Sequence, residues 1–375
     1  MSLFAKNVMK MLNKFFSTRL ELNYKQLVKN LNYLKSNLGD KTEIIAVLKA
    51  NAYGFGDVLL VEKILNQGIK IIAVADFEEG VRLRKIGIKN PIIIMYPGVN
   101  NLEPIIENNL EPTIYSLTML KKLINIAKQT NEIIPFHLKF DTGMNRYGFS
   151  QFSDLDEVIE RIKSQKNIFL KSVFSHFSSS SNIVDTTTTI NQINNFKKLK
   201  QIFNLNFDHI VNYHISNSFG VLNFPEANFD MVRVGYGIYY GFNNSKSKCI
   251  ASLKSIVSQI KNIKLGDAVG YDRKFIAKKN MKIGIIPIGY ADGLRRSWVN
   301  KGLSFYYNGI SLPVIGEISM DSCMIDLKEI NNIQPGSEVE LFGSNRDIFD
   351  LCSSLEIIPY ELTSCLSKRI RRVIV

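Results

Sequence analysis

The chain has 375 residues, 45% apolar and 22% charged, an ordinary globular mixture that excludes a disordered tail protein, a collagen-like fibre and a disulfide-stapled miniprotein. Lys and Arg outnumber Asp and Glu by 47 to 34, a formal net charge of +13. The basic residues are scattered and form no RNP-like motif, zinc finger or basic stripe, and no apolar run approaches the ~20 residues needed to cross a bilayer, so neither nucleic acid nor membrane is an expected partner.

Taken in chain order, residues 1–17 read as an N-terminal amphipathic extension. Leu3, Phe4, Val8, Leu12, Phe15 and Phe16 recur at helical spacing, with Lys6, Lys10 and Lys14 adding charge. A targeting helix shares part of this pattern. The stretch lacks a long apolar region and a small-residue cleavage site, so it is expected to pack on the body or to fray.

From residue 44 a repeat begins. Short Ile-, Val- and Tyr-rich runs (Ile44–Lys49, Ile71–Ala75, Pro91–Pro97, Pro112–Ser116, Phe136–Asp141, Leu170–Phe177, His209–Ile215 and Met231–Tyr239) alternate with amphipathic stretches such as Asp57–Gln67, Asp76–Gly87, Ser116–Gln129 and Thr189–Phe203. Continuous apolar runs alternating with helices predict parallel strands buried on both faces. The count and size are those of a (β/α)8 TIM barrel, assigned to residues 18–242. The alternative, an open doubly wound sheet, should carry GxGxxG after its first strand, and that motif is absent there.

Asn243–Lys248 is polar and reads as a linker. Beyond it lie strand-like runs (Ile250–Ile263, Met281–Ile288, Leu303–Tyr307, Ser311–Gly316, Glu338–Phe342), and Asn308-Gly309 signals a hairpin. Residues 243–375 are therefore predicted to form a separate, mostly β C-terminal domain. Cys249, Cys323, Cys352 and Cys365 show no CxxC pairing, which fits a reducing, cytoplasmic compartment. No two of the four histidines have ligand spacing, so no metal is expected.

Functional groups of such barrels collect at the C-terminal ends of the strands. The first strand ends in Lys49, where desolvation lowers an amine's pKa and frees it for a Schiff base. A rim lysine snorkelling to solvent is the bland alternative. The fifth strand runs into Lys139, Asp141 and Arg146, the sixth into Ser175-His176, and the seventh into Asn217-Ser218. The eighth carries Arg233, followed by Gly235-Tyr236-Gly237, whose backbone N–H groups suit a phosphate. One mouth is thus expected to gather a lysine, two arginines, a histidine and a hydroxyl.

These blocks resemble a known family. Val47–Gly56 is similar to the pyridoxal-phosphate attachment motif of the alanine racemases. His137–Gly148 (HLKFDTGMNRYG), Phe229–Gly237 (FDMVRVGYG), Val269–Tyr271, Pro287–Gly293 (PIGYADG) and Ile318–Met324 (ISMDSCM) resemble its other blocks in order, so that the likeness spans about Thr18 to Arg372. The resemblance implies a Schiff base between Lys49 and pyridoxal 5′-phosphate, with the phosphate held by Tyr53, Ser218 and the backbone of Gly235 and Tyr236, and with Asn217 and His176 also at the cofactor. It implies that Arg233 faces the pyridine nitrogen. Lys49 and Tyr271 would be the two bases, Tyr271 reaching the other subunit of a homodimer with shared active sites. A network would run from Tyr271 through His176 and Arg233 to His214. Arg146 and the main chain at Met320 would hold the substrate carboxylate, with Tyr290 and Asp321 near the entrance. Lys139 matches a position that can be N-carboxylated, and an unmodified lysine remains the alternative.

Three departures stand out. Phe55 occupies a position where the family usually has His, Lys368 a region where many members place a phosphate-binding Tyr, and Ser178–Ser181 is unusually polar. The implied function is interconversion of L- and D-alanine by two bases, supplying D-alanine for peptidoglycan. A serine or broad-specificity racemase, and a non-catalytic carrier of pyridoxal phosphate, are the alternatives.

Overall fold

The computed structural model describes residues 16–130, 132–150, 154–242, 244–328 and 330–375, so nearly all of the expected N-terminal extension lies outside the described residues. The chain divides into two compact units, Val28–Ser247 and a second that joins Lys248–Val375 to the residues up to Leu27. The first strand, β1 (Arg19–Leu22), is therefore in the second unit, whereas the sequence reading placed everything from residue 18 with the barrel.

In the unit Val28–Ser247 eight strands form one all-parallel sheet: β2 (Glu43–Val47), β3 (Ile71–Val74), β4 (Ile92–Ile94), β5 (Glu111–Ile114), β6 (Ile134–Lys139), β7 (Ile168–Phe174), β8 (Asn212–His214) and β9 (Met231–Val234). β2 pairs with both β3 and β9, and each later strand up to β8 pairs with its predecessor. The two ends of the sheet then meet. Asp230 N–H donates to the Tyr213 carbonyl at 3.1 Å and Arg233 N–H to the Ser216 carbonyl at 3.0 Å. This curls the sheet into the expected barrel.

The strands form because they are apolar on both faces: β4 is Ile-Ile-Ile, and every residue of β9 is buried. Helices return the chain between them. Asp76 and Ser116, which open two of the amphipathic stretches, cap their helices by accepting the N–H groups of Glu79 and Met119 at 3.2 and 3.3 Å. Phe136, Leu138, Val173, Phe196 and Phe203 belong to the packed interior.

In the second unit β1 runs antiparallel to Ala251–Ile256 and parallel to Arg371–Ile374, inside a sheet of nine strands. The Glu21–Lys254 ion pair at 3.0 Å ties β1 to its antiparallel neighbour, while Glu21 also pairs with Arg19 within β1 at 2.8 Å. The Ser304–Tyr307 and Ile310–Ile315 strands are joined at Asn308-Gly309, both with positive φ (48° and 82°), the expected tight hairpin.

Leu20 on β1 is fully buried. Leu20→Ala should therefore destabilise the second unit by about 2–5 kcal/mol, read as a lowered denaturation midpoint. An unchanged midpoint would show that β1 is dispensable to that sheet.

Candidate active site

Arg233 on β9 is only 5% exposed. Its Nη1 donates to Nδ1 of His214 at 2.7 Å and to that residue's carbonyl at 3.1 Å. Its Nη2 donates to the carbonyls of Ser175 at 2.6 Å and Ile215 at 3.3 Å, and to Nδ1 of His176 at 2.9 Å. All these contacts come from the two terminal nitrogens, so among the described residues Nε–H is left without a partner. Burial pulls the guanidinium pKa down to about 10, still protonated at neutral pH. Burial, and then the charge of Arg233, push both His176 and His214 well below the usual imidazole range. Both are therefore neutral and accept from the arginine through Nδ1.

Lys49 follows β2 and opens an unusual turn. Ala50, Asn51, Ala52 and Tyr53 have φ of 53°, 55°, 52° and 57°, a left-handed turn of non-glycine residues, followed by Gly54 at 88°. β2 thus stops at Val47, short of the predicted Lys49. A left-handed conformation costs an L-residue roughly 1–2 kcal/mol. The turn is held by Glu79, whose carboxylate accepts Ala50 N–H at 2.5 Å and Ala75 N–H at 2.8 Å. The Lys49 amine makes no hydrogen bond among the described residues. Burial, then the charge of Arg146, lower its pKa, and the nearby Glu79 only partly opposes them.

Lys139 ends β6 and is 3% exposed. Its ammonium meets rings rather than hydrogen-bond acceptors, with Tyr96 at 4.6 Å and Tyr147 at 5.7 Å. Burial, Arg146 and Arg233 pull its pKa down to about 7. Arg146 donates to the Tyr96 hydroxyl at 3.1 Å. Asp141 offsets the lowering at Lys139 only in part, and its oxygens accept the backbone N–H groups of Gly143, Met144 and Arg146 at 2.9, 2.8 and 2.6 Å. Lys49, Lys139, Arg146 and Arg233 are thus only partly balanced by Glu79 and Asp141.

The Gly235 region makes a small polar cradle. The Ser218 hydroxyl accepts N–H from Gly237 at 3.0 Å and Gly235 at 3.4 Å, while Asn217 caps the following turn through Gly220 N–H at 2.9 Å. A Cβ at Gly235 would lie 2.5 Å from the Tyr53 hydroxyl, so only glycine permits this approach. Tyr236 packs against Phe219 at 4.9 Å. Phe55 is fully buried and stacks on Tyr239 at 5.4 Å, so at this position ring packing stands in place of a histidine hydrogen bond. The polar run after His176 is also accounted for: Ser180 donates to Asn217 at 2.7 Å and Ser178 to Gln192 at 3.0 Å.

Residues expected from the C-terminal domain lie in the second unit. Tyr271 follows Gly270 (φ 76°) and is 64% exposed, and Tyr290 and Met320 are 43% and 53% exposed. Their loops are stitched together: Ala291 N–H donates to the Met320 carbonyl at 3.0 Å, and a Cβ at Gly316 would lie 2.6 Å from the Val269 carbonyl. Asp321 pairs with Arg369 at 2.7 Å, and Lys368 is exposed beside it. Sequence reasoning missed Tyr96 and Glu79. Tyr96 lies at the end of a predicted strand, where a polar aromatic is a readable signal. Glu79 sits inside a predicted helix and gives none.

Comparison with known proteins extends over nearly the whole chain. The family model for the alanine racemase N-terminal domain matches residues 22–242, and that for the C-terminal domain matches residues 250–374. The alanine racemase of Clostridium tetani is 34% identical over 365 residues, 94% of each chain. Among solved structures, the alanine racemase of Clostridium difficile 630 superposes with a TM-score of 0.90 at 31% identity, over 96% of each chain. That of Bartonella henselae, which holds covalently bound pyridoxal phosphate, gives 0.85 at 26% identity, over 96% of this chain and 99% of its own.

The left-handed turn yields a stability test. Ala50 is exposed, so replacing it removes no packing. Ala50→Gly should relieve the strain and stabilise the protein by about 1 kcal/mol, visible as a raised thermal midpoint. A lowered midpoint would mean that the turn is not strained.

Proposed function

The chain belongs to the alanine racemase family, and from that premise we propose that it is a pyridoxal 5′-phosphate-dependent racemase interconverting L- and D-alanine. The observation that carries this reading is the set of unmatched groups in the barrel unit. Lys49 offers an amine without a hydrogen-bond partner among the described residues, and Arg233 an unpartnered Nε–H. Beside these two, the Gly235 cradle gathers the Ser218 hydroxyl with the N–H groups of Gly235 and Gly237, a polar set whose chemistry fits a phosphate. Tyr53, Ser218 and the backbone of Gly235 and Tyr236 would hold that phosphate, with Asn217 and His176 also at the cofactor. When bound, the cofactor supplies a carbonyl carbon that an amine can capture and a ring that accepts electron density from the α-carbon.

The remaining work falls to side chains. The lowered pKa of Lys49 favours its uncharged amine, the form that can take a proton from one face of the α-carbon. Tyr271 of the partner subunit serves the opposite face. A phenol with a reference pKa near 10 needs positive charge nearby to act as a base, and the His176–Arg233–His214 network is the proposed source. Arg233 would face the ring nitrogen with a proton that it does not yield, which would limit electron withdrawal and favour return of the proton to the α-carbon.

Arg146 and the main chain of the partner subunit's Met320 would hold the substrate carboxylate, with Tyr290 and Asp321 near the entrance. Of the four cations, Arg146 would then face an anion. For Lys139, whose pKa near 7 leaves about half of the amine uncharged at neutral pH, we propose addition to carbon dioxide, forming the N–C bond of a carbamate and releasing one proton. The resulting anion would sit beside Arg146. The exposed Tyr271, Tyr290 and Met320 support burial of this face by a second copy of the chain. D-Alanine for peptidoglycan, made in the cytoplasm, completes the reading, and the four free cysteines are in keeping with that compartment.

Chiral chromatography after incubation with L-alanine, and separately with L-serine, tests the reading directly. D-Alanine should accumulate, and D-serine should not. Borohydride should fix the cofactor to the Lys49 peptide, and Lys49→Ala should lose both label and activity. No turnover of either amino acid, with cofactor bound, would leave a carrier protein instead.

Lys49→Ala and Tyr271→Ala homodimers should each be nearly inactive. Mixed, they should form heterodimers with one doubly damaged and one intact site, recovering up to about half of wild-type activity. Heterodimers seen by mass analysis without recovered activity would refute sharing of the bases. Incubation with carbon-13 bicarbonate should give a carbamate resonance that Lys139→Ala abolishes, and its absence from the wild type would rule the modification out.

A further inference from the structure

The barrel interior contains a buried polar chain that continues from Arg233 and His214 through groups that the reaction outlined above does not use. From Arg233 it passes to Nδ1 of His214 at 2.7 Å, and from Nε2 of His214 to Oγ of Ser172 at 3.0 Å. It continues from Ser172 Oγ to Nδ1 of His137 at 2.6 Å, and from Nε2 of His137 to Glu111 at 2.9 Å. The second Glu111 oxygen accepts from Lys171 at 2.7 Å. The members come from five successive strands, β9 back to β5, and all five from Arg233 to Glu111 are buried.

The ends of this chain dictate its direction. A guanidinium has only donors, so His214 must accept at Nδ1. Being neutral, His214 carries its one proton at Nε2 and gives it to Ser172. Ser172 then has its own proton for Nδ1 of His137, which leaves His137 to donate from Nε2 to the carboxylate. Glu111 can only accept while ionised. Burial pushes its pKa up, but the hydrogen bonds from His137 and Lys171 and the charge of Lys171 outweigh this and hold it at about 2.

We propose that Glu111 is a positioning residue for Arg233, acting through His137, Ser172 and His214: its carboxylate sets the tautomer of both histidines, so that His214 presents a lone pair rather than a proton to the guanidinium. The proposal rests on Arg233 as the partner of the cofactor's ring nitrogen and deepens that role. With His214 held as an acceptor, Nη1 is fixed and Nε–H stays free. A neutral amide at position 111 would reverse the order. Lys171 requires the amide oxygen, so the amide N–H faces Nε2 of His137. Protons then move to Nδ1 of both histidines, and His214 opposes an Arg233 N–H across the 2.7 Å gap. Two donors cannot share that distance, so the guanidinium must shift.

Four histidines make the nitrogen-15 histidine spectrum of the full-length holoenzyme assignable by single replacements. In the wild type, His137 and His214 should both be protonated at Nε2 alone. Glu111→Gln should move the His214 proton to Nδ1 and lower kcat roughly ten- to hundredfold with little change in KM. Glu111→Asp, which retains the charge, should keep the wild-type tautomers. An unmoved His214 proton in Glu111→Gln overturns the proposal. So does a wild-type His214 protonated at Nδ1, which decides the question even where the Gln variant does not fold. If the tautomers behave as stated but the wild type racemises nothing, the proposed function fails and the positioning role stands.

Discussion

A guanidinium survives burial only when its N–H groups are satisfied, and the barrel mouth is organised around how this is done for Arg233. β7 ends at Phe174 and β8 at His214, so the carbonyls of Ser175, His214 and Ile215 lie at or just beyond strand ends, where they reach the terminal nitrogens. Two imidazoles supply the remaining acceptors. The consequences are forced. Both histidines must be neutral, each must turn Nδ1 to the arginine, and Nε is the one nitrogen kept for something else.

The same mouth is short of negative charge. The charges of Arg146 and Arg233 depress the pKa of both Lys49 and Lys139, and the carboxylates near them are engaged by backbone N–H groups. Glu79 braces the left-handed turn after Lys49, and Asp141 braces the loop carrying Arg146. These acids shape the backbone that presents the cations and do not cancel them. A site built this way is complete only with anionic ligands, which is the charge pattern of a phosphorylated cofactor and an amino-acid carboxylate.

Much of this was legible in the sequence. All eight barrel strands lie where apolar runs alternate with capped helices, because strands buried on both faces leave a continuous signal. Lys49, Lys139, Arg146, His176 and Arg233 were readable as polar residues at the ends of such runs. β1 was not assigned correctly, since Arg-Leu-Glu-Leu has a strand's alternation but nothing in it says which sheet it joins. Glu111 opens β5, Ser172 lies inside β7 and His214 closes β8; a lone polar residue in an apolar run looks like noise, and His214 was named only through the family resemblance. Only the parallel register, which sets His137 beside Ser172 and Phe174 beside His214, turns them into one connected set.

That set raises a question of cost. A protein with 13 more basic than acidic residues keeps Glu111 buried in its barrel, where an ionised carboxylate is expensive. The expense is offset by His137 and Lys171, but a row of apolar side chains would have stabilised the barrel at least as well. What an apolar core cannot do is carry direction. A chain of groups with a donor-only cation at one end and an acceptor-only anion at the other has a single proton order, and each bond polarises the next. Retaining Glu111 therefore makes physical sense as a means of orienting Arg233 rather than of adding stability, and the geometry of the mouth depends on a residue well below it.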